Sequence, residues 1–139
     1  MASDEELLEI YRTTETIAVV GASEDENKPA HFVPAYLQSQ GYQVLPVNPR
    51  GGRILAERAY PSLSQVDVPI DVVDVFRPPV DAAAIARQAV EARPRVLWFQ
   101  PGTDSPEAVR VATQAGLTVV TGRCLGATHG RLGLGPGPD

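Results

Sequence analysis

A turn able to hold an anion follows the first apolar stretch of the chain. Gly21-Ala22-Ser23 comes directly after the apolar run 17–20, and Lys28 lies in the same polar segment. Glycine lets the backbone approach a phosphate closely, and Ser23 offers a hydroxyl and an N–H. The following helix start adds oriented N–H groups, and Lys28 adds a full charge. The turn lacks the full Gly-x-Gly-x-x-Gly pattern, so a plain strand-to-helix turn without ligand is the competing interpretation.

The second apolar run ends in a positively charged corner. Asn48-Pro49-Arg50 follows this run, and Arg53 lies close behind. A site for NAD usually offers Asp or Glu at this point, because a carboxylate binds the ribose diol. Arginine instead favours a phosphorylated ribose, as in NADP or the 3′-phospho-ADP part of coenzyme A (CoA). The alternative is a solvated arginine pair on a glycine-rich turn.

Further candidates for cofactor contact follow the later apolar runs. Phe76 either supports an adenine ring or fills the core, and Arg77 stands next to it. Gln100 and Gly102 follow the next run. Cys124 comes after an arginine that would favour a thiolate, although a single cysteine after a strand is more often inert. No catalytic set and no metal-ligand spacing emerge from the sequence, so the predicted site holds a ligand and does not transform it.

The elements that must position these residues alternate between strand and helix patterns. Runs typical of buried strands cover 17–20, 44–47, 70–76, 96–99 and 117–120. Helical patterns cover 3–12, 32–40, 81–92 and 105–115. We place Pro34 in the first turn of the second helix, and Pro46 predicts an edge position for the second strand.

This alternation predicts a Rossmann-like three-layer α/β/α fold around a five-stranded parallel sheet of order 3-2-1-4-5. In such a sheet, ligands bind beyond the carboxyl ends of the strands, where the candidate residues fall.

Composition sets limits on the function. The 139 residues suit a single domain over 1–139, with a loose tail over 133–139. A net charge of −5 and a pI of about 5.0 argue against nucleic acid as a partner. Cys124 is the only cysteine, which excludes an internal disulfide. Because the sequence shows no signal peptide and no long apolar run, we expect a cytoplasmic protein without membrane contact.

Several motifs together resemble a known family, the small stand-alone CoA-binding proteins. These proteins are similar to the N-terminal CoA-binding domain of the succinyl-CoA synthetase α subunit. The resemblance runs from Thr16 to Leu132. It is carried, in order, by Val20-Gly21-Ala22-Ser23, Pro46-Val47-Asn48-Pro49, Tyr60-Pro61-Ser62-Leu63, the segment 70–77, Trp98-Phe99-Gln100-Pro101-Gly102 and Gly122-Arg123-Cys124.

The resemblance implies where the parts of CoA would lie. The pyrophosphate would sit at Gly21, Ala22 and Ser23. The adenosine end would lie across the second and third strands, and Lys28 and Arg53 would be phosphate partners. The adenosine contacts implied in this way are Asn48, Pro49, Phe76 and Arg77. The active-site histidine of the synthetase belongs to a further domain, so ligase activity is not implied. The usual Asp-Arg-Cys of the family is Gly122-Arg123-Cys124 here, which weakens a catalytic role for the cysteine.

The sequence therefore predicts non-catalytic binding of CoA or an acyl-CoA. An NADP-dependent oxidoreductase is the first alternative, because the fold and the cationic corner also suit NADP. A thiol-exchange protein that uses Cys124 is the second. A partner protein and the oligomeric state stay open.

Overall fold

The computed structural model describes residues 2–136, and its centre is a parallel sheet. Five strands form this sheet, and two short strands form a separate antiparallel hairpin. The strands are β1 (Thr16–Val20), β2 (Gln43–Val47), β3 (Arg53–Ile54), β4 (Glu57–Arg58), β5 (Val72–Val75), β6 (Val96–Phe99) and β7 (Thr118–Val120). Every residue of β1, β5 and β6 is buried, as expected for strands that helices cover on both faces.

Residues 2–136 contain five α-helices and two short 3₁₀ helices. The α-helices are α1 (Asp4–Arg12), α2 (Pro29–Ser39), α3 (Ala82–Ala92), α4 (Pro106–Gln114) and α5 (Leu125–Arg131). The 3₁₀ helices cover Leu63–Gln65 and Pro79–Asp81. A capping box starts α1, where Ser3 Oγ accepts from Glu6 N–H and Ser3 N–H donates to the Glu6 carboxylate. Ser105 caps α4 and Pro106 occupies its first position.

The sheet has the order β2-β1-β5-β6-β7, and all neighbours are parallel. This confirms the predicted Rossmann-like α/β class. Tyr60 makes a single parallel bridge to Val47 on the outer side of β2. If the segment at Tyr60 is counted as the third strand, the order Tyr60, β2, β1, β5, β6 corresponds to 3-2-1-4-5. The strand β7 then extends the sheet by one strand. The predicted strand over 70–76 lies next to β1 and not beyond β2, so Phe76 and Arg77 lie beside the Gly21 turn.

The prediction for one of two prolines was wrong. Pro46 lies in β2 at the edge of the five-stranded sheet, as predicted. Pro34 does not lie in a first turn, because α2 begins at Pro29 and contains Pro34 in its interior. A proline has no N–H for the carbonyl four residues earlier. That carbonyl belongs to Ala30, and it accepts a hydrogen bond of 3.1 Å from Ser23 N–H instead.

The helices divide between the two faces of the sheet. The first face is packed by α1, α2 and α5, and the second face is packed by α3 and α4. Of the tail predicted to be loose, Leu134 packs against the first face, and residues 137–139 lie outside the described residues. No helix within residues 2–136 is both long enough and apolar enough to span a membrane.

Candidate functional site

The turn after β1 has a conformation and a packing that only glycine satisfies. Gly21 has φ +91°, and its N–H donates to Val47 O at 3.0 Å. A Cβ on Gly21 would lie 2.9 Å from Arg77 Cδ and 3.1 Å from Phe76 O. Because L-residues avoid this φ and the surrounding atoms leave no room, a side chain at this position would displace the neighbouring strand exit.

Ser23 is held by three hydrogen bonds. Its N–H donates to Ala30 O, and its Oγ accepts from Asp25 N–H at 3.0 Å. Its carbonyl lies 2.7 Å from His31 Nδ1. Since a carbonyl only accepts, Nδ1 carries the hydrogen in this contact. Of the two donors expected from the sequence, the Ser23 N–H is therefore engaged within the turn, and the hydroxyl hydrogen is left for a ligand.

The start of α2 faces this turn without a capping side chain. Lys28 is the N-cap residue, its side chain makes no capping hydrogen bond, and the first helical turn contains no acidic residue. The positive end of the helix dipole is therefore not neutralised from within the helix. The exposed loop ahead of Lys28 does contain acidic residues, Glu24, Asp25 and Glu26.

Asn48 ties the exit of β2 to the same turn. Its Nδ2 donates to Ala22 O at 2.9 Å, and its Oδ1 accepts from Arg50 N–H at 2.9 Å. Both ends of the amide are engaged, so the structure gives Asn48 a role in holding the turn. Pro49 and Arg50 are exposed beside it.

Arg53, predicted as a phosphate partner, and Arg77, predicted as an adenosine contact, are engaged differently. Arg77 passes its stem over Gly21, and its guanidinium donates to Asp81 Oδ2 at 3.2 and 3.0 Å. Both partners of this ion pair are substantially exposed, so the pair is weak and an anionic ligand can replace Asp81. Arg53 is exposed and donates to Ala56 O at 3.0 Å within its own hairpin. Phe76, which precedes Arg77, is partly buried against the first face.

Gln100 and Gly102 follow the carboxyl end of β6. Gln100 is only 5% exposed, and its Oε1 accepts from Leu125 N–H at 3.0 Å. The Gln100 amide thus satisfies a free N–H at the start of α5. Gly102 is exposed with φ +79°, and a Cβ there would meet no atom within 4 Å. The structure therefore places both residues near the edge but gives only Gln100 a packing role.

Two buried titratable groups on the first face were not singled out for the site. Asp74 on β5 is fully buried, neither carboxyl oxygen has a hydrogen-bond partner among residues 2–136, and burial raises the pKa of Asp74 well above its ordinary value. His129 is also fully buried, and desolvation lowers the pKa of its imidazole. His129 Nδ1 lies 2.8 Å from the Tyr36 hydroxyl. The sequence signal for Asp74 is a charge within an apolar run, whereas nothing in the sequence marks His129 as buried.

At the carboxyl ends of the strands, six of the predicted residues thus lie around one turn: Gly21, Ala22, Ser23, Lys28, Asn48 and Arg77. Within residues 2–136 no three His, Cys, Asp or Glu side chains are grouped to hold a metal ion. Chemically, this edge offers a hydroxyl, a helix start and two cationic side chains, which together suit an anionic group of a ligand.

A family model described as "CoA binding domain" matches residues 15–130. The chain therefore belongs to the family of CoA-binding domains. The resemblance inferred from the motifs is confirmed.

Individual relatives agree with this assignment. The uncharacterized protein YneT of Bacillus subtilis is 35% identical over 127 residues, which cover 91% of this chain and 94% of YneT. A Thermus thermophilus protein of known structure is 43% identical with a TM-score of 0.91, over 94% of this chain and 99% of that one. An acetyl-coenzyme A synthetase of Ca. Korarchaeum cryptofilum is 27% identical with a TM-score of 0.70. The match covers 84% of this chain but 27% of the synthetase.

Proposed function

We propose that this protein binds CoA or an acyl-CoA without catalysing its conversion, and that the pyrophosphate lies at Gly21-Ala22-Ser23. The observation that carries this proposal is the Gly21 turn, which only glycine fits and which Asn48 and Ser23 hold rigidly. A turn fixed in this way beside a helix start is ready to receive a phosphate without reorganisation.

The charges around the turn support an anionic ligand with several phosphates. Lys28 at the helix start and Arg77 over Gly21 lie on two sides of the turn. In the proposed complex, Arg77 leaves Asp81 for a phosphate of CoA. Arg50 and Arg53, beyond β2, bind the 3′-phosphate, and Phe76 supports the adenine. Gln100 and Gly102 border the pantetheine arm.

The two histidines differ in their access to a ligand. His129 is buried in the core. His31 Nδ1 donates to the Ser23 carbonyl, so its basic nitrogen is Nε2, and within residues 2–136 this nitrogen has no hydrogen bond to a nucleophile that it could activate. General-base catalysis needs a group within hydrogen-bond reach of the reacting atom. A binding role therefore agrees best with the side chains at this edge.

Titration calorimetry with CoA, dephospho-CoA, NADP and NAD tests the proposal. We expect CoA to bind most tightly. The affinity for dephospho-CoA should be at least about tenfold lower than that for CoA, because dephospho-CoA loses charge-assisted hydrogen bonds to arginine. Tightest binding of NADP would favour the oxidoreductase alternative. Equal affinities for CoA and dephospho-CoA would contradict the role given to Arg50 and Arg53.

A glycine pair supplies a matched control for the turn. Gly21 and Gly116 both have φ +91°, but a Cβ on Gly116 would meet nothing within 4 Å. Gly21→Ala should weaken CoA binding at least about tenfold, because the displaced Arg77 and Phe76 distort the turn. Gly116→Ala introduces the same backbone strain at the opposite edge of the sheet and should leave the affinity unchanged. If Gly21→Ala also bound CoA normally, the pyrophosphate would have to lie elsewhere.

The thiol-exchange alternative makes a separate prediction. Cys124 is partly exposed, so its thiolate can attack CoA disulfide to form a mixed disulfide and release one CoA thiolate. Intact-mass analysis after incubation with CoA disulfide should then show one CoA adduct that Cys124→Ser abolishes. An unmodified wild-type protein would remove this alternative.

A further inference from the structure

An apolar groove runs between α2 and α5 on the first face. Its volume is about 390 Å³, within the usual range for small-molecule sites. We call it the α2–α5 groove. It is lined by Phe32, Val33 and Tyr36 from α2, by Gly126, Ala127 and Gly130 from α5, and by Cys124 just ahead of α5.

The walls of the groove leave an occupant almost nothing to hydrogen-bond. The Tyr36 hydroxyl is already in contact with His129 Nδ1 at 2.8 Å. The surface that lines the groove is almost entirely apolar. A sugar, a nucleotide base or a peptide would lose hydrogen bonds to water on entering such a space. The chemistry of the lining therefore selects a hydrocarbon chain.

Two glycines shape the groove. A Cβ on Gly126 would lie 3.0 Å from Val33 Cγ1, so this glycine allows the close approach of α5 to α2. A Cβ on Gly130 would lie 3.6 Å from the Tyr36 hydroxyl oxygen, an ordinary contact. Beside them, the side chain of Phe32 is 50% exposed, which is unusual for a large aromatic residue.

The groove begins at the edge where the phosphates of CoA are proposed to lie. Phe32 belongs to the first turn of α2, which follows directly on Lys28. Cys124 precedes α5 at the same edge, beyond the end of β7. From Pro29 to Tyr36, α2 rises by about 10 Å at 1.5 Å per residue. Gln100, beside which the pantetheine arm is proposed to lie, accepts from Leu125 N–H at 3.0 Å and so adjoins Cys124. A ligand held by its pyrophosphate at the Gly21 turn therefore brings its thioester end to the groove at Cys124.

We infer that the α2–α5 groove receives the acyl chain of an acyl-CoA, so that aliphatic acyl-CoA thioesters are bound in preference to free CoA. This inference rests on the proposed binding of CoA at the Gly21 turn. The pyrophosphate end supplies the charge interactions, and the groove adds a term that grows with chain length, because each buried methylene strengthens binding by up to about fourfold.

Titration calorimetry of the wild-type protein with CoA, acetyl-CoA, butyryl-CoA and octanoyl-CoA tests the inference. We expect octanoyl-CoA to bind at least about tenfold more tightly than CoA. If free CoA binds but the affinity does not rise from acetyl-CoA to octanoyl-CoA, the groove inference is overturned and the proposed function still holds. Failure of all four ligands to bind would overturn both.

A matched pair of substitutions tests whether the acyl chain lies in the α2–α5 groove. Ala127→Leu fills the groove from an exposed position on α5, and Ala84→Leu makes the same change at an exposed position of α3 on the second face. Ala127→Leu should remove the preference for octanoyl-CoA and leave the affinity for free CoA unchanged. Ala84→Leu should retain both affinities. An intact preference in Ala127→Leu would overturn the inference.

A second copy of this chain is the main competitor for the groove. Sedimentation analysis of the wild-type protein and of Phe32→Ser distinguishes it from the acyl chain. A dimer that dissociates on Phe32→Ser would show that the groove is a subunit interface and would overturn the inference. A sedimentation coefficient that is the same for both proteins supports it.

Discussion

Trp98 and Phe99 are neighbours on β6, but their side chains enter different environments on the two faces of the sheet. Trp98 lies on the first face, contacts Tyr11 at a ring distance of 6.0 Å and donates from Nε1 to Arg123 O at 2.8 Å. Phe99 lies on the second face among aliphatic side chains. Both are fully buried, so the difference lies in chemistry and not in depth.

The second face is built for close packing alone. The helices α3 and α4 meet through small side chains that are completely buried, namely Ala86, Ala89, Ala108 and Ala112. Small residues let helices approach closely, and a core of this kind has no polar group to satisfy. Within residues 2–136, the second face therefore has a structural role.

The first face buries polar and ionisable side chains, and Asp74, whose carboxyl has no hydrogen-bond partner among residues 2–136, costs stability. Tyr11, Tyr36 and Tyr42 surround His129 with edge-on ring contacts at 5.4 to 5.7 Å. Asp74 shares this face, because Val73 and Val75 on either side of it point to the second face. Local departures from the rules of core packing tend to cluster where function is placed. The α2–α5 groove and the Gly21 turn adjoin this same face.

The largest expected effect concerns Asp74 and pH. Burial raises the pKa of Asp74 in the folded protein above 3.8, the value expected for the unfolded chain. Between pH 3.8 and this raised pKa, the folded protein therefore holds a proton that the unfolded chain has released. By linkage, this group lowers the free energy of unfolding by about 1.4 kcal/mol per pH unit as pH rises toward the folded-state pKa.

Asp74→Asn removes this ionisation but keeps the shape of the side chain. Urea unfolding between pH 4 and pH 8 should show that the variant gains stability over the wild-type protein as pH rises. Other titrating groups cancel in this difference. Parallel pH profiles for the two proteins would mean that the Asp74 carboxyl is not held neutral in the fold, and the proposed cost on the first face would disappear.

The sequence was sufficient for the fold class and for the position of the carboxyl ends of the strands. Apolar runs that end in Gly21, Asn48 and Phe76 predict parallel strands and mark their carboxyl ends. The sequence was not sufficient to predict which hydrogen bonds the individual polar groups make. The hydrogen bond from Ser23 to the Ala30 carbonyl depends on Pro34 lying inside α2, and the misplaced start of α2 hid it.

Two further features depend on contacts between distant segments. The predicted strand over 70–76 lies beside β1 because the chain crosses back over β1 after the hairpin, which periodicity cannot show. The groove needs Gly126 and Gly130 to face Val33 and Tyr36 across more than ninety residues of sequence. Only the packed structure defines these approaches.

The second expected effect compares the same substitution on the two faces. Ala112→Leu adds three carbons to the alanine-packed contact between α3 and α4, where no space is available. Overpacking of this kind costs about 1–3 kcal/mol. Ala127→Leu places the same atoms in the α2–α5 groove and should change the free energy of unfolding by less than about 0.5 kcal/mol. Urea unfolding at one pH compares the two variants. Equal losses would mean that the groove is as closely packed as the second face.

The smallest expected effect concerns two helix positions with opposite backbone requirements. Gly130 lies within α5, where a Cβ finds an ordinary 3.6 Å contact with the Tyr36 hydroxyl oxygen. Gly130→Ala should therefore raise the free energy of unfolding by about 0.5–1 kcal/mol, because alanine favours a helix interior. Arg93 ends α3 in the left-handed region with φ 56°, so Arg93→Gly should give a gain of similar size.

These two gains have different consequences for the ligand. Gly130→Ala narrows the α2–α5 groove, and we expect it to weaken the binding of octanoyl-CoA by a few fold while the affinity for free CoA stays unchanged. Arg93→Gly acts at the far end of the second face and should stabilise the protein without changing either affinity. Thermal unfolding and calorimetry on the same samples measure both quantities. If Arg93→Gly altered the affinity for octanoyl-CoA as much as Gly130→Ala did, the division between a scaffold face and a ligand face would fail, because stability alone would then control binding.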